Sequence, residues 1–186
     1  GRIRTVIIAN WKSISEKYDI SNLYSDYRDI FEDKSIDLIF GMTRNSLHAN
    51  IVCDALLKNK NVFVEKPLAI NNKELDEIEK VWNKSTKAVM VGFNRRFAPF
   101  TKEIKTFFEN RVSPMIAYYR VNAENIPHDH WVYDKKEGNG RIISEACHFI
   151  DYLTYVVGSK PIEVIANSIS TQKSQDTMDN FIINIS

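Results

Sequence analysis

The first half of the chain alternates between short apolar runs and segments with helical spacing, and this alternation constrains the fold more than any other feature. The apolar runs lie at residues 5–9, 36–41, 62–64 and 88–92. Strands that are apolar along their whole length and are separated by helices are typical of a parallel sheet covered on both faces. Because crossovers between parallel strands are right-handed, the pattern predicts a Rossmann-like α/β arrangement.

The segments between these runs have the spacing of amphipathic helices. The predicted helices cover residues 24–32, 46–58 and 72–82. In each of them apolar residues recur every three or four positions, so that one face can pack on the sheet. Ser25, Ser46 and either Asn71 or Asn72 stand near the starts of these helices, where their side chains can cap a free backbone N–H.

The pattern changes after Gly92. Helices are predicted over residues 97–109 and 142–157, strands over 115–122, 162–168 and 181–185, and a polar loop over 127–139. Strands that are joined without regular helical crossovers favour an antiparallel sheet. We therefore expect a partial Rossmann domain over residues 1–93, followed by a partial α+β domain with a mainly antiparallel sheet over residues 94–186.

Composition argues against several classes of partner. The 186 residues carry a formal net charge of +1, which gives no electrostatic case for nucleic acid or an anionic membrane. No apolar run approaches the roughly 20 residues of a membrane span. Cys53 and Cys147 lack a CxxC spacing, and we interpret them as reduced core thiols of a cytoplasmic protein.

The tripeptide Glu65-Lys66-Pro67 directly follows a predicted strand. Open α/β sheets hold ligands at the carboxyl ends of their strands, so Lys66 lies where a ligand is expected. A lysine at such a place can give and take a proton. The alternative is a solvated loop lysine beside a turn proline.

Four motifs occur in the order of a known family. They are TRNSLH at residues 43–48, VEKPL at 64–68, GFNRRF at 92–97, and GNG at 138–140 leading to CHFID at 147–151. Together they resemble the glucose–fructose oxidoreductase, inositol dehydrogenase and MocA (Gfo/Idh/MocA) family. The resemblance implies an enzyme that uses NAD or NADP to transfer hydride at a secondary alcohol of a sugar, sugar nucleotide or cyclitol. An NAD-dependent glycosidase or lyase of the same fold, or a non-catalytic binding module, are the alternatives.

The resemblance also implies roles for individual residues. Lys66 would touch the substrate hydroxyl and the nicotinamide ribose, His148 would be an acid/base or a hydroxyl ligand, and the Lys66–Pro67 peptide bond is expected to be cis. Glu145, His148 and Asp151 are three positions apart and share a helix face. Many relatives carry Asp where this chain has Ser144. Either Glu145 replaces that carboxylate as a catalytic residue, or Lys66 is the main proton carrier.

Further residues are assigned to cofactor and substrate on the same basis. The predicted cofactor-binding residues are Asn10, Thr43, Asn45, His48, Glu65, Lys66 and Asn94. The predicted substrate-binding residues are Arg95, Arg96, Tyr119, Trp131 and Asp151. An arginine fork suits a carboxylate or phosphate, although one of the two arginines can instead pair with an acidic side chain. Aromatic faces suit the C–H surfaces of sugars.

Two expected features are missing from the sequence. The GxGxxG dinucleotide fingerprint is absent, and we expect it upstream of residue 1, on the turn before residues 5–9. The run from Asn10 to Ser13 contains Lys12 but no acidic residue to read the ribose, which leaves NAD and NADP both open. We expect a fragment of a longer chain that forms homodimers or tetramers through its antiparallel sheet. His128 and His130 lack a third ligand at a convincing spacing, so no metal site is predicted.

Overall fold

The computed structural model describes residues 5–6, 17, 22–24, 26–169 and 179–186. The chain divides into two compact units, Gly1–Val91 and Gly92–Ser186. The assignment of these units to cofactor and substrate stays a prediction.

The first unit is an α/β unit built on parallel strands. Its elements in chain order are β1 (Thr5–Val6), β2 (Asn22–Leu23), α1 (Arg28–Glu32), β3 (Leu38–Gly41), α2 (Asn45–Leu57), β4 (Asn61–Val64), α3 (Asn72–Trp82) and β5 (Val89–Val91). Strands β3, β4 and β5 form a parallel sheet in that order, and β1 pairs with β2, also in parallel. The predicted Rossmann-like arrangement is confirmed.

The core of this unit lies between α2 and β4. Val52 and Ala55 on α2, and Val62 and Val64 on β4, have almost no exposed surface. Complete burial of a valine side chain contributes about 1.5–3 kcal/mol. Ile78 of α3 joins the same cluster and Val81 packs against it. Leu75 and Trp82, which the sequence places on the same apolar face, are 44% and 51% exposed, so only part of that face is buried.

The helix starts confirm one predicted cap and correct another. The side chain of Asn71 accepts a hydrogen bond from the backbone N–H of Glu74 at 3.0 Å, and the Glu74 carboxylate accepts from the N–H of Ile70 at 2.9 Å. Asn71 is therefore the cap of α3. The predicted cap at Ser46 is wrong, because α2 begins one residue earlier with Arg44 at the N-cap position and no side-chain cap. Ser25 lies outside the described residues.

The second unit combines helices with an antiparallel strand pair. Its elements are a 3₁₀ turn (Asn94–Phe97), α4 (Pro99–Phe107), a 3₁₀ turn (Trp131–Tyr133), a π-helical turn (Ile142–Ala146), α5 (Cys147–Val157), β6 (Val164–Ser168) and β7 (Phe181–Ile185). Strands β6 and β7 pair antiparallel, as the sequence predicted. Gly158 ends α5 in the left-handed conformation, with φ of 75°.

The strand predicted over residues 115–122 is wrong. The chain there is irregular, and the described residues include no ladder partner for it. Ile116 and Tyr118, two of the alternating residues that suggested a strand, are 99% and 83% exposed. Alternation of side chains allows a segment to join a sheet, but a strand also needs a neighbouring strand to pair with. Strands β6 and β7 pair with each other instead.

The described residues contain neither a membrane-spanning helix nor a disulfide. Within that part of the chain, no helix combines the length and the apolar character needed to cross a bilayer. Neither Cys53 nor Cys147 forms a disulfide.

The loop before α5 closes on itself through a glycine. A Cβ atom on Gly138 would lie 2.4 Å from the carbonyl oxygen of Val132 and 2.5 Å from its Cα. Ser144, which is buried, donates a hydrogen bond from its hydroxyl to the Gly138 carbonyl at 2.9 Å. Glycine is therefore required at position 138 by close approach of two backbone segments.

We expect Gly138→Ala to lower the free energy of unfolding by about 3 kcal/mol, because the new methyl group meets backbone rather than a movable side chain. Gly140→Ala is the control: a Cβ atom there meets nothing within 4 Å, and only the φ of 86° opposes it. That strain costs about 1–2 kcal/mol. Urea denaturation of both variants measures the difference, and an equal loss in the two would contradict the packing argument.

Candidate active site

The carboxyl ends of β3 and β4 carry the residues that the sequence singled out in the first unit. The backbone N–H of Glu65 donates to the carbonyl of Gly41 at 2.9 Å, which ties the start of one turn to the end of the neighbouring strand. Lys66 follows directly and is half-buried. The Lys66–Pro67 peptide bond is cis, as predicted. Lys66 is thus held at the edge of the parallel sheet where ligands are expected.

The TRNSLH motif forms the turn between β3 and α2. Thr43 is half-buried and its hydroxyl donates to the carbonyl of Arg44 at 3.3 Å, while Asn45 is buried at the first position of the helix. His48 has no exposed surface, and its two ring nitrogens face backbone carbonyls. Thr43, Asn45, Glu65 and Lys66 are therefore brought to one edge of the sheet. Asn10 lies outside the described residues.

In the second unit, α5 carries the histidine of the CHFID motif. His148 is buried and its ring packs edge-on to Phe93, with 6.1 Å between ring centroids. Glu145 lies in the π-helical turn before α5 and is half-buried. Ser144 occupies the position where an Asp is expected in many relatives. Its hydroxyl donates a hydrogen bond to the Gly138 carbonyl. Its hydroxyl therefore anchors the glycine loop.

Arg96 and Asp151 form an ion pair inside the second unit. The Arg96 Nε donates to one carboxylate oxygen of Asp151 at 2.7 Å, and a second guanidinium nitrogen donates to the other oxygen. The Asp151 side chain is only 7% exposed, and its hydrogen bonds raise the pKa of the Arg96 guanidinium. Of the two alternatives for this arginine, the geometry favours pairing with an acidic side chain. Substrate contact by Arg96 or Asp151 stays a prediction.

Arg95 lies in an aromatic cluster. One of its terminal nitrogens donates to the hydroxyl of Tyr119 at 3.3 Å, and its guanidinium carbon is 4.9 Å from the centre of the Phe149 ring. The Tyr119 ring lies 4.8 Å from Phe149 and 5.5 Å from Tyr152. Tyr119 is thus fixed by α5, although it does not belong to a strand. Asn94 is exposed at the start of the adjacent 3₁₀ turn.

The segment around Trp131 contains contacts that sequence reasoning missed. Tyr133 donates a short hydrogen bond to Asp179, and Arg141 lies 3.7 Å from the same carboxylate. Burial, followed by the hydrogen bond to Asp179, raises the pKa of the Tyr133 hydroxyl. No local signal identifies this cluster, because Asp179 is far away along the chain. Trp131 is half-buried, and its place in a sugar site stays a prediction.

The histidines near Trp131 do not belong to a metal centre in the described part of the structure. The Nδ1 of His130 accepts a hydrogen bond from the backbone N–H of Val132 at 3.3 Å. The ring of His128 packs near Tyr133, with centroids 6.5 Å apart. Among the residues that can be described, no group of three or more His, Cys, Asp or Glu side chains is arranged to hold a metal ion.

Comparison with known proteins identifies the first unit most directly. Residues 5–93 match the model of an oxidoreductase family with an NAD-binding Rossmann fold, Gfo/Idh/MocA. The chain is 32% identical to the oxidoreductase YrbE of Bacillus subtilis over 155 residues, which is 83% of this chain and 45% of the relative. It is 26% identical to the myo-inositol 2-dehydrogenase of Thermotoga maritima, over 84% of this chain and 46% of the relative.

A solved structure extends the likeness over both units. The NAD-binding protein from Listeria innocua superposes with a TM-score of 0.76 and 27% identity, covering 98% of this chain and 54% of that one. The chain thus spans about half the length of the relatives it matches.

Substitutions in the Arg96–Asp151 ion pair test whether Arg96 contacts the substrate or only pairs with an acidic side chain. Asp151→Asn keeps the shape but removes the charge, and we expect it to lower the free energy of unfolding by about 2 kcal/mol, since the pair is partly exposed on the Arg96 side. Arg96→Lys, which loses the planar fork, should also destabilise the protein. Arg95→Lys is the matched control, because it makes the same change at the neighbouring arginine, which lies outside the ion pair with Asp151.

Urea denaturation and substrate KM are measured on all three variants. A structural pair predicts that Arg96→Lys changes stability and leaves substrate KM at its parent value. A large rise in KM without a loss of stability would instead assign Arg96 to the substrate.

Proposed function

Since the chain belongs to the Gfo/Idh/MocA family of oxidoreductases, we propose that its protein is an NAD(P)-dependent dehydrogenase acting on a secondary alcohol. The proposed substrate class is a sugar, a sugar nucleotide or a cyclitol, oxidised to the ketone or formed from it. The name of the relative from Thermotoga maritima, myo-inositol 2-dehydrogenase, supports a cyclic polyol. The four motifs in family order support the same reading.

The observation that carries the proposal is the placement of Lys66. It lies half-buried at the carboxyl end of β4, in a parallel sheet of the kind that binds nucleotides at that edge. A carboxylate, Glu65, and a hydroxyl, Thr43, follow the carboxyl ends of β4 and β3 at the same edge. Ribose hydroxyls need hydrogen-bond acceptors as well as donors. This donor and acceptor set fits a nicotinamide nucleoside, which Thr43, Asn45, Glu65 and Lys66 would hold.

Oxidation of an alcohol removes a hydride from carbon and a proton from oxygen. A bound nicotinamide cofactor would supply the acceptor for the hydride, or its donor in the reverse reaction. The Lys66 amine takes the hydroxyl proton during oxidation, and the ammonium gives it back to the ketone oxygen during reduction. His148 is the second proton-carrying candidate, through its imidazole nitrogens, and Glu145 is the carboxylate one helical turn before it.

Lys66→Ala tests the assigned role directly. We expect kcat to fall by about 10²–10⁴-fold, because the group that moves the hydroxyl proton is gone. Absorbance of NADH or NADPH, measured on the intact protein with a panel of inositols, aldoses and sugar nucleotides, follows turnover. Calorimetry with the dinucleotide shows whether the cofactor still binds.

Lys73→Ala is the matched control, since Lys73 is an exposed lysine on α3 whose side chain is 86% exposed. It should turn over at the parent rate. Parent-like turnover by Lys66→Ala would contradict the proposal. Cleavage of a glycoside without net accumulation of reduced cofactor would favour the glycosidase alternative.

We further propose that the protein self-associates through the β6–β7 pair. Val164, Ile165 and Ile182 on these strands are each more than half exposed. Apolar side chains on an open sheet are covered in most soluble proteins. Sedimentation analysis should give a dimer or tetramer, and replacing Ile165 and Ile182 by lysine should give a monomer. A parent protein that sediments as a monomer at all concentrations would contradict this proposal.

A further inference from the structure

His48 connects the turn after β3 to the turn after β4. Its ring has no exposed surface. The Nδ1 atom lies 2.6 Å from the carbonyl oxygen of Pro67, and the Nε2 atom lies 3.1 Å from the carbonyl oxygen of Thr43. Pro67 directly follows Lys66, and Thr43 is one of the residues assigned to the cofactor. One buried side chain thus contacts the backbone at both parts of the candidate site.

A neutral histidine carries one ring proton, so it can donate to only one of the two carbonyls. A backbone carbonyl oxygen can only accept, so each contact is a hydrogen bond only when the ring nitrogen carries a proton. At 2.6 Å, the Nδ1 contact with Pro67 is at the short end of the N–H···O range. The geometry therefore assigns a proton to Nδ1, which donates it to the Pro67 carbonyl.

We propose that His48 is a positioning residue that holds Lys66 in place through the Pro67 carbonyl. The inference rests on the proposed function for the role of Lys66. It replaces the direct cofactor contact expected from the TRNSLH motif, because a ring with no accessible surface cannot touch a cofactor.

The physical reason is the burial of the bond. When a buried carbonyl loses its donor, the turn must move to reach water or leave the oxygen unpaired. A shift of about 1 Å in a reacting group costs about 100-fold in rate. Loss of the Nδ1 donor is therefore expected to appear in kcat.

Two substitutions separate the contacts. The side-chain amide of asparagine can occupy the position of Nδ1, so His48→Asn keeps a donor towards Pro67. The amide of glutamine reaches the position of Nε2, so His48→Gln lacks a donor towards Pro67. His48→Leu removes the donor and keeps the approximate volume.

The expected result is a rescue by the conservative variant in steady-state kinetics of the intact protein. We expect kcat of His48→Gln and His48→Leu to be about 100-fold below the parent, and that of His48→Asn to exceed both by about tenfold. A purely structural role would lower kcat equally in His48→Asn and His48→Gln.

Lys60 provides a control of the same type away from the candidate site. It is buried, and its ammonium donates to the carbonyls of Asp33 at 2.6 Å and Ile36 at 2.7 Å, before β3 rather than after it. Lys60→Met removes two buried contacts to backbone carbonyls, as His48→Leu does. It should lower the free energy of unfolding and leave kcat and KM at their parent values.

A second readout does not require turnover. In the parent protein labelled with ¹⁵N at histidine, the His48 signals are identified by their disappearance in His48→Asn. We expect a slowly exchanging proton on Nδ1, with a one-bond N–H coupling.

The outcomes distinguish this inference from the proposed function. Absence of turnover with every polyol tested would overturn the dehydrogenase proposal, and the ¹⁵N spectrum would still decide whether Nδ1 of His48 donates to Pro67. An unprotonated Nδ1 would overturn the inference. Equal kcat values in His48→Asn and His48→Gln would also overturn it.

Discussion

Burial of one face of α2 against β4 is the interaction on which the geometry of the first unit depends. Val52 and Ala55 contribute the helix side, and Val62 and Val64 contribute the strand side, with almost no exposed surface on any of them. Because β3, β4 and β5 are parallel and in register, their carboxyl ends reach the same edge. The packing that stabilises the unit therefore also brings the turn with Thr43 and the turn with Lys66 to one edge of the sheet.

The fold of this unit could be predicted because its strands are apolar along their whole length. Such runs admit few arrangements other than a parallel sheet covered by helices. The predictions were wrong where the deciding partner is distant or the signal is short. Strand β2 covers Asn22–Leu23, which is too brief to show a period. The segment 115–122 has the alternation of a strand, but only the three-dimensional structure shows that no described strand lies beside it.

Some features of the candidate site could likewise be predicted from the sequence, and others could not. Lys66 could be recognised from its position after a strand, and the cis bond before Pro67 from the motif that contains it. The pairing of Arg96 with Asp151 could not, because the two residues are 55 positions apart and either could equally face a ligand. The same limit applies to His48, whose motif suggested a cofactor contact. A sequence shows that a histidine is present, whereas only coordinates show which atoms its two nitrogens face.

The central claim is that the Lys66 ammonium reaches the reacting hydroxyl of a polyol beside a nicotinamide ring. A crystal structure of the intact protein with NADH and a bound inositol or sugar tests it most directly. The account predicts that Nζ of Lys66 lies about 3 Å from one secondary hydroxyl oxygen of the ligand, within hydrogen-bonding reach. A ligand bound elsewhere, with Nζ in bulk water, would contradict it.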